Sequence, residues 1–247
     1  MPQSRVPFPV HSPGPAQSTP APSKKTMLLV FGFLAVLGFF FMIDEAAYSF
    51  VHMHWNYNTH PIPDYLKLPT RIMRSMEDWG ENIYILCVLY AMWHFDCHRR
   101  SRIPLLIVSA LLITLPVEGI KRLAGRERPE LNGGHSVFHG PVKFKGGGDY
   151  QSFPSGHAAS SASYSGSLAA FYPPMKPVVI ALAVGCAGNR IWKERHFLSD
   201  CWAGGVLGFW LAFTLPRRRW VRNLCDRFDR RFSVPYPNTP LTVARAA

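Results

Sequence analysis

The sequence predicts an all-α integral membrane protein in which six membrane-spanning helices form a bundle. The chain has 247 residues, of which 48% are hydrophobic, yet its mean hydropathy is only +0.02. Polar ends therefore dilute a very apolar middle, which divides into six apolar runs separated by charged segments. Runs of this kind are typical of helices that cross a bilayer, because hydrocarbon does not tolerate clustered charges.

The N-terminal part of the chain is polar before the first apolar run begins. Residues 1–26 are rich in Pro, Ser and Gln, and we expect them to be disordered. Lys24 and Lys25 precede a Phe-rich run over 27–43, which predicts the first membrane span. A signal peptide is the alternative, but its basic region would be unusually long and no small-residue cleavage site follows the run.

A mixed segment over 44–80 links the first span to the rest of the chain. Its histidines and aromatic residues indicate a segment at the membrane surface. His52, His54 and His60 could instead bind a metal, but no acidic or Cys partner is spaced to complete a ligand shell. Residues 63–79 are predicted to form a helix that lies on the membrane.

Five further spans follow in the predicted arrangement. They cover residues 83–95, 104–119, 157–172, 178–192 and 197–215. The fourth of the six spans is rich in Ala, Ser and Gly, which lets neighbouring helices approach closely. A long polar loop over 121–155 precedes it, and a basic, Pro-rich tail that we expect to be loose follows Pro216.

The excess of basic residues limits the classes of partner that the chain could bind. The net charge of +12 at pH 7 fits nucleic acid, anionic lipid headgroups or an anionic substrate. The apolar runs favour the last two, and no nucleic-acid-binding motif is present. The five cysteines are scattered without metal-ligand spacing, and we interpret them as small buried hydrophobic residues rather than disulfides.

The distribution of cations predicts an orientation for the spans. Lys24, Lys25, the loop 97–102 and the tail from Arg217 fall on one side, which the positive-inside rule assigns to the cytoplasm together with both termini. The opposite side is not depleted of cations, although the rule disfavours them there. We expect an anionic substrate to explain this second set, which comprises Lys121, Arg122, Arg126, Arg128, Arg190, Lys193 and Arg195.

Three clusters on that second side carry the candidate chemistry. They are Lys121 with Arg128–Pro129, then Pro154–Ser155–Gly156–His157, then Arg190 with His196 and Asp200. In this order and spacing they resemble the three signature motifs of the type 2 phosphatidic acid phosphatase superfamily, which also includes bacterial acid phosphatases and vanadium haloperoxidases. The resemblance implies a six-helix membrane bundle of that kind. Its catalytic core would be 81–216, flanked by the tail 1–26, the span and linker 27–80, and a basic cytoplasmic tail 217–247.

The same residues suit phosphoryl transfer on chemical grounds. A phosphoryl group in flight spreads charge over three oxygens, so catalysis is mostly positioning and charge neutralisation. Lys121, Arg128 and Arg190 supply the cations. Ser155 can open a helix whose N-terminus attracts anions, and Gly156 lets the backbone come close to a phosphate. No acidic or Cys/His set offers a metal site, so we expect no cofactor, with the cations in the place of Mg²⁺.

The two histidines are predicted to act in opposite protonation states. A nucleophile is neutral and a general acid is protonated, and both states lie close to the free imidazole pKa of about 6.5. His196, with Asp200 four residues on to fix its tautomer, suits a nucleophile that forms a phosphohistidine. His157 suits the acid that protonates the leaving alkoxide. The resemblance implies the same two roles. The alternative for His196 is a solvated loop in which the histidine has no function, and the alternative for His157 is a residue at the start of a helix that Ser155 caps.

One departure from the family pattern lies in the third motif. That motif usually begins Ser-Arg, whereas this chain has Asn189–Arg190. Asn still donates a hydrogen bond, so we expect phosphate binding to survive with some change in geometry. Other polar residues of the 121–155 loop either shape the route of the substrate or belong to a flexible outer loop. They include Arg122, Arg126, His135, His139, Lys143 and Lys145.

These observations predict a metal-independent membrane phosphatase that acts on a lipid phosphate or diphosphate. Undecaprenyl diphosphate, phosphatidylglycerol phosphate, phosphatidic acid and lipid A phosphate are the candidate substrates. The composition looks bacterial, which would place the site on the periplasmic side of the inner membrane. A phosphotransferase with another lipid or sugar as acceptor is the nearest alternative, and a non-enzymatic transporter or scaffold is the alternative from another class. Neither the particular lipid nor the oligomeric state follows from the sequence.

Overall fold

A computed structural model of the chain describes residues 23–55, 64–141 and 147–232. The expectations for 1–22 and 233–247, and those for His60, Lys143 and Lys145, therefore lie outside the described residues. The chain divides into two compact units, Met1–Val36 and Leu37–Ala247. In the first unit the described residues form the start of a helix with exposed apolar side chains, as expected for a lipid-facing span.

The described residues form eight α-helices. They are α1 Lys24–Trp55, α2 Asp64–Glu77, α3 Asn82–Phe95, α4 Ile103–Ala124, α5 Gly156–Phe171, α6 Lys176–Trp192, α7 Leu198–Thr214 and α8 Arg219–Phe232. Within the same ranges the β-structure consists of an isolated bridge between Arg126 and Phe138. The predicted all-α class is therefore confirmed.

The six predicted spans correspond to α1, α3, α4, α5, α6 and α7. Three stretches are long and apolar enough to cross a membrane, namely Lys24–His54, Cys97–Ala124 and Leu198–Arg217, and Ile83–Phe95 is a shorter apolar helix. The protein is thus an integral membrane protein, as predicted. The helix count exceeds six because α2 and α8 are additional amphipathic helices at the ends of the bundle.

Helix α1 is longer than the predicted first span. It continues past residue 43 and through Asp44, which was expected to mark the membrane surface, and ends at Trp55. Asp44 is 1% exposed and accepts a hydrogen bond from Arg126 at 2.8 Å. Because its charge is paired inside the protein, the acidic residue does not end the helix.

Helix α5 lies at the centre of the second unit and packs against α4, α6 and α7. Its residues from Ala158 to Leu168 are all buried, and its serine hydroxyls bond to neighbouring side chains, as in the 2.6 Å contact between Ser109 and Ser163. On α7, Gly204 and Gly208 lie directly against the α5 backbone. Small residues on both helices permit this approach, as the composition predicted.

Helix α8 forms in the basic segment after Pro216, where no helix was predicted. Val221 and Cys225 are buried and pack against Leu105 of α4 and Leu215. An apolar stripe at helical spacing therefore holds the basic segment on the bundle. The cysteines also depart in part from their prediction, because Cys87 and Cys97 are exposed whereas Cys186, Cys201 and Cys225 are buried.

The α5–α7 contact predicts different responses to alanine at two glycines of α7. A Cβ atom at Gly208 would overlap the carbonyl oxygen of Ala159, whereas one at Gly205 meets nothing within 4 Å. We expect Gly208→Ala to lower the free energy of unfolding by about 1–3 kcal/mol. Gly205→Ala is the matched control and should be neutral or slightly stabilising, since alanine favours a helix. Unfolding in detergent measures both, and equal stability of the two variants would contradict this packing.

Candidate active site

The three motif clusters converge at one end of the helix bundle. Lys121 lies in the last turn of α4, Ser155 caps the start of α5, Arg190 lies in the last turn of α6 and Asp200 in the first turn of α7. The backbone N–H of Ser155 donates to the carbonyl of Asp200 at 3.0 Å. Segments separated by long stretches of sequence are thereby joined into one region.

His196 lies between α6 and α7 and is 3% exposed. Its Nδ1 is 2.7 Å from the backbone carbonyl oxygen of Ser152. A carbonyl oxygen only accepts hydrogen bonds, so Nδ1 carries the ring proton and Nε2 carries the lone pair. This is the tautomer that a nucleophilic imidazole needs. Ser152 precedes the second motif in the sequence, and no local pattern indicated its role.

Asp200 supports His196 through Ser152 rather than by a direct hydrogen bond. Its Oδ2 is 3.8 Å from Nδ1 of His196, but accepts hydrogen bonds from the Ser152 hydroxyl at 2.6 Å and from the Phe197 backbone N–H at 2.8 Å. The carboxylate therefore fixes the residue whose carbonyl orients the imidazole. It also caps α7, where a negative charge is favourable.

Arg126 is a further residue of the region, and the sequence had left it in the outer loop. It is fully buried, so a place in a flexible loop is wrong for this residue. Its guanidinium donates to Asp200 at 2.5 Å, to Asp44 at 2.8 Å and to the hydroxyl of Ser199 at 2.7 Å. The rings of Phe41, Phe138 and Phe197 lie around the cation.

A cavity of about 370 Å³ is lined by four cations, Arg128, Arg190, Lys193 and Arg195, and by three carboxylates, Glu77, Glu130 and Glu194. The Nε atoms of Arg128 and Arg190 are buried and have no hydrogen-bond partner among the described residues. Burial, reinforced by the charge of Arg195, lowers the pKa of Arg128 below its usual value. Buried donors that lack partners in a positive cavity fit an anion with several acceptor oxygens.

Lys121 and His157 face a second cavity, of about 300 Å³, on the side of α4 and α5. Lys121 donates to Glu118 at 2.9 Å, and Nε2 of His157 lies 3.7 Å from Glu81. A Cβ atom at Gly156 would lie 3.2 Å from Nζ of Lys121, so the glycine leaves room for the cation. Apolar side chains such as Ile113 and Val117 complete this wall.

The two cavities are coupled electrostatically. The positive charge of Arg190 acts on both His157 and His196, and that of Arg128 acts on His196. Ser155 is fully buried and caps α5 by accepting the Ala158 N–H at 3.4 Å. Its hydroxyl therefore caps the helix that Ser155 was predicted to open, and its part in phosphate binding stays a prediction.

The protonation state of His196 follows from its surroundings. Burial lowers its pKa to about 4, and the charges of Arg190 and Arg128 act in the same direction against the opposing effect of Asp200. The ring is therefore neutral at pH 7. Within the described ranges no group of three His, Cys, Asp or Glu side chains is placed to hold a metal ion.

Comparison with known proteins shows what this chain resembles. The model of the PAP2 superfamily matches residues 103–224, which contain all three motifs. Over this segment the chain is similar to the PAP2 superfamily. It is 30% identical over 106 residues to the lipid A 1-phosphatases of Rhizobium johnstonii and Rhizobium etli. The alignment covers 43% of this chain and 41% and 44% of those proteins, so the chain spans less than half the length of these relatives.

A solved structure shares the fold. The transmembrane PAP2-type phosphatidylglycerolphosphate phosphatase of Bacillus subtilis superposes with a TM-score of 0.52 at 18% identity. The match covers 77% of this chain and 94% of that one. The likeness therefore extends beyond the segment that carries the motifs.

The buried position of Arg126 predicts a large loss of stability when the cation is removed. Arg126→Met leaves Asp44 and Asp200 as two buried carboxylates without their shared partner, and breaking a buried pair lowers the unfolding free energy by about 3–5 kcal/mol. Arg219→Met, at an exposed arginine of α8, is the matched control and should change little. With Asp44→Asn and the double variant, unfolding in detergent closes a mutant cycle, and strictly additive losses would contradict the network.

Proposed function

We propose that this protein is a lipid phosphate phosphatase whose nucleophile is His196. The observation that carries the proposal is the tautomer of His196, whose Nε2 lone pair is free for attack because Nδ1 bonds the Ser152 carbonyl. The cation-lined cavity supplies the charge that a transferred phosphoryl group requires. The match of residues 103–224 to the PAP2 superfamily model and the phosphatase names of the relatives support the same reaction class.

The reaction would proceed in two steps. Nε2 of His196 forms a bond to phosphorus, and the bond from phosphorus to the leaving oxygen breaks with its electron pair on that oxygen. His157, protonated once the negative phosphate lies beside it, donates that proton to the leaving oxygen, while Arg128 and Arg190 balance the charge on the other phosphoryl oxygens. A water molecule, deprotonated by His157, then attacks phosphorus and releases inorganic phosphate with His196 restored. Every charge change is met by cations or protons of this chain, so no metal is assigned a step.

The substrate would be a membrane lipid that carries a terminal phosphate or diphosphate. The candidate site lies at the ends of apolar helices, where a headgroup would reach it while the tails stay in the bilayer. The names of the similar proteins favour lipid A phosphate or phosphatidylglycerol phosphate over the other candidates. Helix α8, with its arginines, packs at the opposite end of α4 from Lys121. This arrangement supports a cytoplasmic tail and a site on the periplasmic side of a bacterial inner membrane.

A phosphate-release panel in detergent tests the proposal. Purified protein should release phosphate from at least one of lipid A phosphate, phosphatidylglycerol phosphate, phosphatidic acid and undecaprenyl diphosphate, and the rate should survive EDTA. His196→Ala should lose at least about 10³-fold in kcat/KM, because the covalent route is gone. His94→Ala, an exposed histidine at the far end of α3, should retain activity.

Two results would count against the proposal. Full activity of His196→Ala would remove the assigned nucleophile. Strict dependence of the wild-type rate on added divalent metal would remove the metal-independent mechanism. Lipid product analysis accompanies the panel, because transfer of the phosphoryl group to a second lipid would indicate a transferase.

The protonation of His196 gives a pH prediction. The nucleophile must be neutral, and its pKa of about 4 means that the neutral form persists well below pH 6.5 and is lost only as the pH falls through about 4. Titration of ring ¹⁵N shifts in histidine-labelled protein should show a resonance with a midpoint near 4 that is lost in His196→Ala. A midpoint near the free imidazole value for that ring would contradict its buried, neutral state.

A further inference from the structure

Helix α2 brings an acidic side chain into the cation-lined cavity. Its last residue, Glu77, is 9% exposed and accepts hydrogen bonds from Nδ2 of Asn189 at 2.7 Å, from Nη1 of Arg190 and from Nζ of Lys193. Asn189 is the position where the family motif usually has Ser. Glu77 lies in the linker that precedes α3, outside the segment that the family model matches.

The contact with Glu77 leaves one edge of the Arg190 guanidinium unused. Glu77 takes Nη1, whereas Nε is buried without a partner among the described residues. Nε and Nη2 together form a fork that matches two oxygens of a phosphate. The carboxylate therefore holds the guanidinium by one nitrogen and leaves the fork for an anion in the cavity.

Glu77 is charged and partly neutralises this cavity. Burial alone would raise its pKa, but the hydrogen bonds and charges of Lys193 and Arg190 outweigh burial and bring the pKa below its usual value. The carboxylate thus stays ionised at neutral pH. It reduces the attraction of Arg190 and Lys193 for any other anion, including a phosphate product.

Several contacts hold the backbone around Glu77 in place beside the cavity. The Glu77 carbonyl accepts from Sγ of Cys186 at 3.4 Å, and Nε1 of Trp79 donates to Ser165 of α5 at 2.9 Å. A Cβ atom at Gly80 would lie 2.8 Å from the carbonyl oxygen of His157. These contacts anchor the segment on both sides of the cavity, so the carboxylate stays beside Arg190 when a phosphate arrives.

We infer that Glu77 is a positioning residue for phosphoryl transfer, and this inference rests on the function proposed above. It orients the Arg190 fork toward the phosphate and, as a counter-charge, keeps the affinity for inorganic phosphate low enough for product release. The two effects can be separated, because the first depends on the carboxylate shape and the second on its charge.

Paired variants test the two effects. Glu77→Gln keeps the shape of the side chain and removes its charge, so the protein should bind inorganic phosphate about tenfold more tightly. Glu77→Ala also removes the contact that orients Arg190, so kcat should fall about tenfold or more. Asp78→Asn makes the same charge change one residue away, where the carboxylate bonds the Tyr84 hydroxyl at 3.1 Å and not Arg190. This control should leave both quantities at their wild-type values.

The readouts separate this inference from the proposed function. Phosphate binding is measured by the shift in thermal unfolding with inorganic phosphate, which needs no turnover, and kcat is measured on the best lipid of the panel. Weaker or unchanged phosphate binding in Glu77→Gln would overturn the counter-charge role. Wild-type kcat in Glu77→Ala would overturn the orienting role. A wild-type protein that hydrolyses no lipid phosphate would overturn the proposed function. The shift in thermal unfolding with inorganic phosphate would still test the counter-charge role of Glu77.

Discussion

The buried guanidinium of Arg126 is the constraint on which the arrangement of the site depends. It lies between the carboxylates of Asp44 on α1 and Asp200 on α7, and each of these also bonds backbone or hydroxyl groups nearby. An unpaired buried charge would be strongly destabilising, so each of the three residues depends on the other two for its place in the fold. Through Asp200 the network reaches Ser152, and through Ser152 it reaches the imidazole of His196. A remote ion pair therefore fixes the position of the reactive ring.

The charges around the cation-lined cavity suit an anion that must bind as substrate and dissociate as product. Arg128 and Arg190 each keep a buried Nε without a partner in the part of the chain that the structure describes, while Glu77 and Glu130 pair with cations that line the same cavity. A cavity with cations alone would attract phosphate more strongly but would release it more slowly. The carboxylates moderate the field without filling the position of the anion. His157 lies on the other side, next to the apolar wall of Ile113 and Val117, where a leaving group with an apolar tail would be accommodated.

Much of the fold and of the site was accessible from the sequence, because the relevant signals are local. Apolar runs predicted α3 to α7, and the motif residues sit at the ends of those runs, where a charged side chain is tolerated. Partners that meet across the fold left no such signal: Arg126 and Asp44 are 82 positions apart, and Glu77 and Arg190 are 113 apart. Helix α8 was missed for a different reason. Its apolar stripe of Val221, Leu224, Cys225 and Phe228 has helical spacing, but the arginines between them suggested a loose tail.

The acceptor that sets the tautomer of His196 is a main-chain atom, and this has a consequence for how the site can vary. Every amino acid carries the same carbonyl group, so replacement of the Ser152 side chain would leave that acceptor in the chain and would alter only its anchorage to Asp200. Substitution scanning would therefore underestimate the importance of this position. Relatives that differ here can preserve the imidazole geometry as long as their backbone follows the same path.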